Sequence, residues 1–231
     1  MLRTLPYWLS TATITNKRRD SVGVPDYKSI PLYAKEHSSI TLVGFSGYAR
    51  SGKDSAAGSL VATRGFTKKS FAEQLKAAVY ALDPLVKHRR FWNTKFHFAT
   101  TRLSSLVDSR GWEGAKDEAS GEVRRLLQFM GTEVGRKLFG EDFWVQQALN
   151  GYTAKDKVVF TDVRFPNEAK AIKDLGGVVL RVTRKGIHAV SDHPSEISLD
   201  HWKFDGEIRN DGSIEELHDA VASWLYTLST L

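Results

Sequence analysis

The densest chemistry in the chain lies in Gly47-Tyr48-Ala49-Arg50-Ser51-Gly52-Lys53-Asp54-Ser55. Gly47 and Gly52 bracket a loop and Lys53 closes it, the spacing G-x-x-x-x-G-K. Glycines let a backbone curl until successive N–H groups point at one anion. Lys53 adds a full charge able to reach the β- and γ-phosphates of a nucleotide. The apolar, β-branched run Ile40 to Phe45 reads as a strand entering the loop, and Ala56 to Val61 continues a helix leaving it. That helix turns the positive end of its dipole toward the same anion. Gly47, Arg50, Ser51, Gly52 and Lys53 are therefore candidate phosphate-binding residues. The Ser/Thr that ordinarily ligates magnesium is Asp54 here, with Ser55 one place later.

A second constellation lies on Gly121 to Leu138, which the spacing predicts as one amphipathic helix. At 100° per residue Val123, Leu127, Met130, Val134 and Leu138 share one side. Arg124, Gln128, Gly131 and Thr132 share the other, with Arg125 at its edge. A solvated face accommodates arginine and glutamine freely. Gly131 is harder to account for, since a mid-helix glycine costs up to ~1 kcal/mol relative to alanine. Close approach of a ligand or another backbone gives it a reason. Arginine grips phosphate bidentately, and glutamine can donate and accept to a nucleobase.

The third element is Asp162-Val163-Arg164-Phe165-Pro166-Asn167-Glu168. Asp162 ends an apolar strand, where a carboxylate can hold magnesium directly or through water. Arg164, two residues on, points to the same side if the strand continues, and can stabilise charge on a transferring phosphoryl group. A helix cap and a surface ion pair are the structural alternatives for these two. The fourth element, Asp192-His193-Pro194-Ser195-Glu196, mixes metal-ligand residue types. Pro194 breaks helical spacing, so a mobile loop closing over phosphates is expected, with His193 structural. Arg184 and Lys185 at its start can contact the nucleotide.

The elements that position these residues alternate. Strands are expected at 40–45, 66–71, 158–162, 178–182 and 205–208. Helices are expected after the phosphate loop, over 72–81, 121–138, 143–149 and 166–175, and from Ser213 onward. Ser213 and Glu216 form a capping box for the last helix, whose stripe is Ile214, Leu217, Val221, Trp224 and Leu228. Strands alternating with helices predict an α/β fold with a parallel sheet covered on both faces. In such folds ligands sit at the carboxyl ends of the strands, where Gly47 and Asp162 fall. Residues 84–104 are basic and aromatic, Lys87, Arg89, Arg90, Lys95 and Arg102 sitting among Phe91, Trp92, Phe96 and Phe98.

Composition bounds the rest. An apolar fraction of 41% over 231 residues supports one sizeable core. No apolar run approaches the ~20 residues of a membrane span. The absence of cysteine excludes disulfides, thiol catalysis and cysteine–zinc sites. A net charge of +6 suits polyanionic ligands, nucleotides and nucleic acids alike. Residues 1–38 read as an N-terminal extension before a catalytic domain at 39–231. In the first 19 residues Arg3, Lys17, Arg18 and Arg19 without an acid imitate a transit peptide, but Pro6, Pro25 and Pro31 favour a loosely attached tail.

With these elements in hand, the chain resembles the bacteriophage deoxynucleoside monophosphate kinases, a branch of the P-loop nucleoside monophosphate kinases distantly similar to animal phosphomevalonate kinase. The matching pieces are S-G-Y-A-R-S-G-K-D-S, S-F-A-E-Q-L-K, R-R-L-L-Q-F-M-G-T-E, D-F-W-V, D-V-R-F-P-N-E-A, H-P-S-E and I-x-N-D-G-S-I-E-E-L. They run in order from about residue 40 to the end, leaving out 1–38 and matching 84–118 weakly. The family carries Asp-Thr after the loop lysine, so Asp54-Ser55 fits with one mild change. The resemblance implies a parallel five-stranded sheet flanked by helices, a helical acceptor-binding region and a lid over 184–200. It implies that Lys53 and the loop amides bind ATP, joined by Arg184 and, near the adenine, Asn210. Asp54, Ser55 and Asp162 would organise Mg2+. Phe71, Lys76, Arg124, Arg125, Gln128, Thr132, Trp144 and Glu168 would serve the acceptor site, and Arg164 would sit between donor and acceptor phosphates. The implied reaction is dNMP + ATP to dNDP + ADP, in the cytoplasm. The partners expected are these nucleotides, with a homodimer compatible and neither nucleic acid nor membrane expected. The alternatives are another small P-loop kinase, of dephospho-coenzyme A or phosphomevalonate, a nucleic-acid-binding ATPase using the basic aromatic stretch, and a nucleotide-binding protein without turnover.

Overall fold

A computed structural model describes residues 40–92, 95–119 and 121–229. The expected extension 1–38 lies outside these residues. The elements are β1 (Leu42–Ser46), α1 (Lys53–Arg64), β2 (Thr67–Lys69), α2 (Glu73–Leu82), β3 (Leu85–Trp92), β4 (Lys95–Arg102), α3 (Leu103–Glu118), α4 (Glu122–Phe129), α5 (Lys137–Phe139), α6 (Phe143–Leu149), β5 (Val158–Phe160), α7 (Pro166–Asp174), β6 (Val178–Thr183), α8 (Pro194–Ile197), β7 (Gly206–Arg209) and α9 (Ile214–Ser229). A π-helical stretch, Met130–Arg136, joins α4 to α5. The chain divides into two compact units, whose described parts are 74–140 and, for the second, 40–73 with 141–229.

The second unit holds a five-stranded sheet in the order β2-β5-β1-β6-β7, parallel at every pairing. This is the α/β architecture expected. All five residues of β1 are buried, as a central strand covered on both faces requires. One face packs Phe45, Leu60 and Ile208 against Leu217, Val221 and Leu225 of α9. The other packs Leu42 and Phe160 against Ile172 of α7 and Leu149 of α6. Edge strand β2 carries Lys68 exposed, a charge that discourages pairing with another chain. The Ser213–Glu216 capping box forms: Glu216 Oε2 accepts from Ser213 N at 2.8 Å and Ser213 Oγ from Glu216 N at 3.2 Å. Ile214, expected on the apolar stripe, is 52% exposed because it sits in the first turn, ahead of the sheet contact.

The first unit departs from expectation in three places. Strands β3 and β4 form an antiparallel two-stranded sheet. Its first strand runs Lys87-His88-Arg89-Arg90, with no alternation for a period of two to catch. Helix α3 had no expected counterpart, and Gly111 (φ 67°, ψ 174°) interrupts it. The expected single helix 121–138 is α4, then the π-helical stretch, then α5. A π turn advances less per residue than 100°, so the apolar stripe fails beyond Met130. Val123 is buried as expected, but Leu138 is 69% exposed while Gly135 and Arg136 are buried. Gly131 answers to packing within this unit: a Cβ there meets Leu75 Cδ2 of α2 at 3.3 Å.

Candidate active site

The loop between β1 and α1 is built by local geometry. Gly47 takes φ 135° and Gly52 φ 105°, both favouring glycine, and Arg50 turns left-handed at φ 66°. Space demands glycine as well: a Cβ on Gly47 lies 2.2 Å from Val182 O, and one on Gly52 2.2 Å from Asn210 Nδ2. Ala56 N donates to Gly52 O at 2.9 Å, opening α1 directly out of the loop. Ser51 is buried, with its Oγ unpartnered among the described residues. Its carbonyl accepts from Asn210 Nδ2 at 2.8 Å. Asn210, expected near adenine, thus braces the loop with its amide nitrogen, and its own N–H donates to Thr183 O at 2.8 Å.

Lys53 folds back over this loop. Its Nζ donates to Gly47 O and Tyr48 O, both at 2.6 Å. Burial lowers its pKa to about 8; the nearby Arg164 lowers it further, and Asp54, Glu196 and Asp162 oppose the fall. In the unfolded chain a lysine titrates near ~10.4. The folded state therefore holds fewer protons than the unfolded one between those values, so Lys53's burial opposes folding most below pH 8 and is relieved as pH rises. An anion at Lys53 restores its proton. ATP binding at pH 8 is expected to take up roughly half a proton, read as a dependence of calorimetric binding enthalpy on buffer ionisation. Affinity should weaken between about pH 8 and pH 9.5. Buffer-independent enthalpy at pH 8 would exclude this environment for Lys53.

Asp54 and Ser55 occupy the exposed first turn of α1. The Asp54 carboxylate, 75% exposed, meets Lys68 Nζ at 2.5 Å. Asp162 lies beyond the end of β5 rather than in it, because the strand closes at Phe160. Its Oδ1 accepts from Phe71 N at 2.8 Å, and its Oδ2 from Ser70 Oγ at 2.6 Å and Ala72 N at 3.0 Å. Asp162 thus ties the turn before α2 to the carboxyl end of the sheet. Arg164 is also past the strand. Its Nη1 donates to Ser195 O at 3.0 Å and Glu196 Oε1 at 2.5 Å. Its backbone N–H donates to Glu168 Oε2 at 2.7 Å, and Phe165 N to the same oxygen at 3.1 Å. Glu168 is buried beneath the start of α7 and fixes the Arg164 backbone.

The remaining expected residues divide between the units. In the second, Phe71 is a core side chain stacked on Phe160, ring centroids 4.3 Å apart, and Trp144 is buried beside Phe143. Arg184 is exposed and its carbonyl closes a turn with Ile187 N. In the first unit, Lys76, Arg124 and Lys116 surround Glu113. Burial works to raise the Glu113 carboxyl, but the Lys116 hydrogen bond and the charges of Lys116, Lys76 and Arg124 hold it below its ordinary value. Burial lowers the Lys116 pKa, and Lys76 and Arg124 add to the fall. Arg124 reaches Asp117 at 3.8 Å, whereas Arg125, 66% exposed, pairs with Glu122. Thr132 Oγ1 donates to Gln128 O at 2.6 Å.

Sequence reasoning missed a cluster around the phosphate loop. Tyr48 donates its hydroxyl to Asp200 Oδ1 at 2.8 Å, and Arg181 of β6 donates to the same oxygen at 2.9 Å. Arg181 also lies 5.4 Å from the Tyr48 ring centroid. Burial and Asp200 raise the Tyr48 pKa. The spacing Glu196 to Asp200 was the available signal, but it makes sense only beside Arg164 and Arg181. The expected lid is thereby anchored at its carboxyl end. His193 caps α8, its Nδ1 accepting from Ser195 N at 3.2 Å, as a structural histidine does.

A parallel sheet with a glycine-bracketed loop between β1 and α1, a buried lysine over that loop and an arginine beyond β5 define a P-loop kinase fold. The deoxynucleotide monophosphate kinase family model matches residues 106–221. A relative from Acanthamoeba polyphaga mimivirus, provisionally assigned as a deoxynucleotide monophosphate kinase, is 32% identical over 80% of this chain and 95% of its own. The deoxynucleotide monophosphate kinases of Escherichia phage RB69 and Enterobacteria phage T4 are each 32% identical, over 51% and 48% of this chain and 52% and 48% of theirs. The chain belongs to the deoxynucleotide monophosphate kinase family. Among the described residues no helix is long and apolar enough to cross a membrane.

Proposed function

We propose that this protein transfers the γ-phosphoryl group of ATP to a deoxynucleoside monophosphate, giving dNDP and ADP. Beyond family membership, the observation that carries this is the convergence of Lys53 and Arg164 at one phosphate loop, close enough for each charge to act on the other. Two cations crowded in a partly desolvated cleft are a cost in the free protein. Transferring phosphates supply the opposite charge, so that cost becomes binding and transition-state stabilisation. The loop amides and Lys53 hold the donor phosphates. Arg164 meets the group in transit. Lys76, Arg124, Gln128 and Thr132 serve the acceptor, with Trp144 nearby in the family pattern. Phe71 and Glu168 serve from the core, by packing and by fixing the Arg164 backbone. No covalent intermediate or strong base is required; positioning and charge neutralisation supply the rate.

Oxygen donors at the first turn of α1 suit a hard cation. Asp54 and Ser55 would hold Mg2+, and Asp162, its oxygens already engaged, would reach it through water. The exposed Asp54–Lys68 pair is worth no more than ~1 kcal/mol and gives way readily. Bound there, the ion neutralises phosphate charge. The viral relatives support the host-cell cytoplasm as the place of action.

The test is ADP formation from ATP against a panel of all dNMPs and NMPs. Turnover that requires a free deoxynucleotide supports the assignment; ATP hydrolysis stimulated by DNA and indifferent to dNMP overturns it. Within that assay, Arg124→Ala and Gln128→Ala are expected to raise KM for dNMP about tenfold or more, with KM for ATP little changed. Variants impaired toward ATP alone would remove these residues from the acceptor site.

A further inference from the structure

We propose that Glu196 is a positioning residue for phosphoryl transfer, holding the Arg164 guanidinium so that its Nε–Nη2 edge faces the transferring group. The inference rests on the phosphotransferase function above and adds a residue to it. Arg164 Nη1 is committed to one segment, to Glu196 Oε1 at 2.5 Å and Ser195 O at 3.0 Å. Among the described residues Nε and Nη2 have no partner. A guanidinium is planar, so anchoring one nitrogen twice sets the direction of the opposite edge, the edge that can grip phosphate bidentately.

Burial separates this pair from a surface ion pair. The Glu196 side chain is 7% exposed and that of Arg164 is 33% exposed. The carboxylate is the anchored end and the guanidinium the presented one. Glu196 is itself held. His193 caps α8 and Pro194 occupies its first turn. Four residues on, Asp200 accepts from Tyr48 Oη and from Arg181. Tyr48 belongs to the phosphate loop, and its carbonyl accepts from Lys53 Nζ at 2.6 Å. The segment from Ser195 to Asp200 is thus a clasp whose two carboxylates each take an arginine from the carboxyl side of the sheet. Gly47, Tyr48, Arg164, Arg181, Glu196 and Asp200 line one cleft. Unpaired carboxylates there would repel a polyphosphate; bound to arginines, they orient the cations instead.

The experiment is steady-state kinetics, ATP titration and thermal melting on the wild type, Glu196→Gln, Glu196→Asp, Arg164→Lys and the double variant Glu196→Gln/Arg164→Lys. Both Glu196 variants are expected to lower kcat by about ten- to a hundredfold, as a small misplacement of a reacting group does, with ATP affinity within about twofold. The double variant should be no slower than Arg164→Lys alone, because the group being positioned is gone. Near-normal kcat in either folded variant, or losses that simply multiply in the double variant, overturns the proposal. Glu196→Asp keeps the charge and withdraws it by one methylene, and carries the test should Glu196→Gln not fold. A wild type without dNMP-dependent ADP formation rejects the phosphotransfer function itself, a result distinct from either outcome for Glu196.

Discussion

Lys53→Ala is expected to lower phosphoryl transfer by about 10³ or more and to weaken ATP binding, while the protein remains folded. The ammonium is nearly buried and rests on Gly47 O and Tyr48 O. Those two carbonyls hold it over the loop in the free protein. The charge is disfavoured in the free protein, as the fall of its pKa to about 8 records. Deleting it relieves that cost, so the melting temperature should change little. What is lost is a full charge at the mouth of the backbone cradle, where the bridging oxygens of a triphosphate gain negative charge during transfer. Turnover, nucleotide titration and melting on purified Lys53→Ala check each part. Wild-type-like turnover by the folded variant would reject the phosphate-loop assignment and the kinase with it.

Arg164→Lys is expected to cut kcat by about 10³ while ATP affinity changes little. Arg164 donates through Nη1 to Ser195 O and Glu196 and keeps its other edge free. Lysine has a single nitrogen. It can satisfy the Glu196 carboxylate or a phosphoryl oxygen, but cannot span both with a planar fork. The charge acting on Lys53 is retained, so donor binding should survive. A purely structural ion pair tolerates lysine far better. Steady-state kinetics with ATP titration on purified Arg164→Lys separates the cases, and near-normal kcat would remove Arg164 from the phosphoryl-transfer step. The same geometry bears on Asp162, whose oxygens tie down the turn before α2. Its observed role is to hold that turn; the metal role proposed for it would run through water.

The helix that carries the expected acceptor residues shows where periodicity misleads. Arg124, Gln128 and Thr132 lie near the point where α4 passes into the π-helical stretch, a distortion frequent at functional sites. A 3.6-residue period assigns Val123 correctly and Leu138 wrongly, since the wider turn rotates the later residues away. The two-stranded sheet of β3 and β4 was illegible for a different reason. Its strands are stabilised by pairing with each other, and the run of basic residues carries no inside–outside alternation.

What the sequence determined by itself was local. The phosphate loop needs only the glycines at 47 and 52, whose backbone angles other residues resist, and Lys53 next to them. The capping box at Ser213 and Glu216 spans three residues and forms as written. The alternation of buried strands with helices is a property of neighbouring residues, and it implied the parallel sheet. Tertiary structure decided what depends on residues far apart in the chain. Asn210 reaches Ser51 across 159 positions, Asp162 reaches Ser70 across 92, and Arg164 reaches Glu196 across 32. Each contact is a hydrogen bond or ion pair between single side chains, and its energy exists only once the strands have paired. No period or propensity encodes it, because those describe neighbours on one element. Lys53 and Arg164 can therefore be named from the chain, while the hold of Glu196 on Arg164 and that of Asn210 on the loop emerge only from the fold.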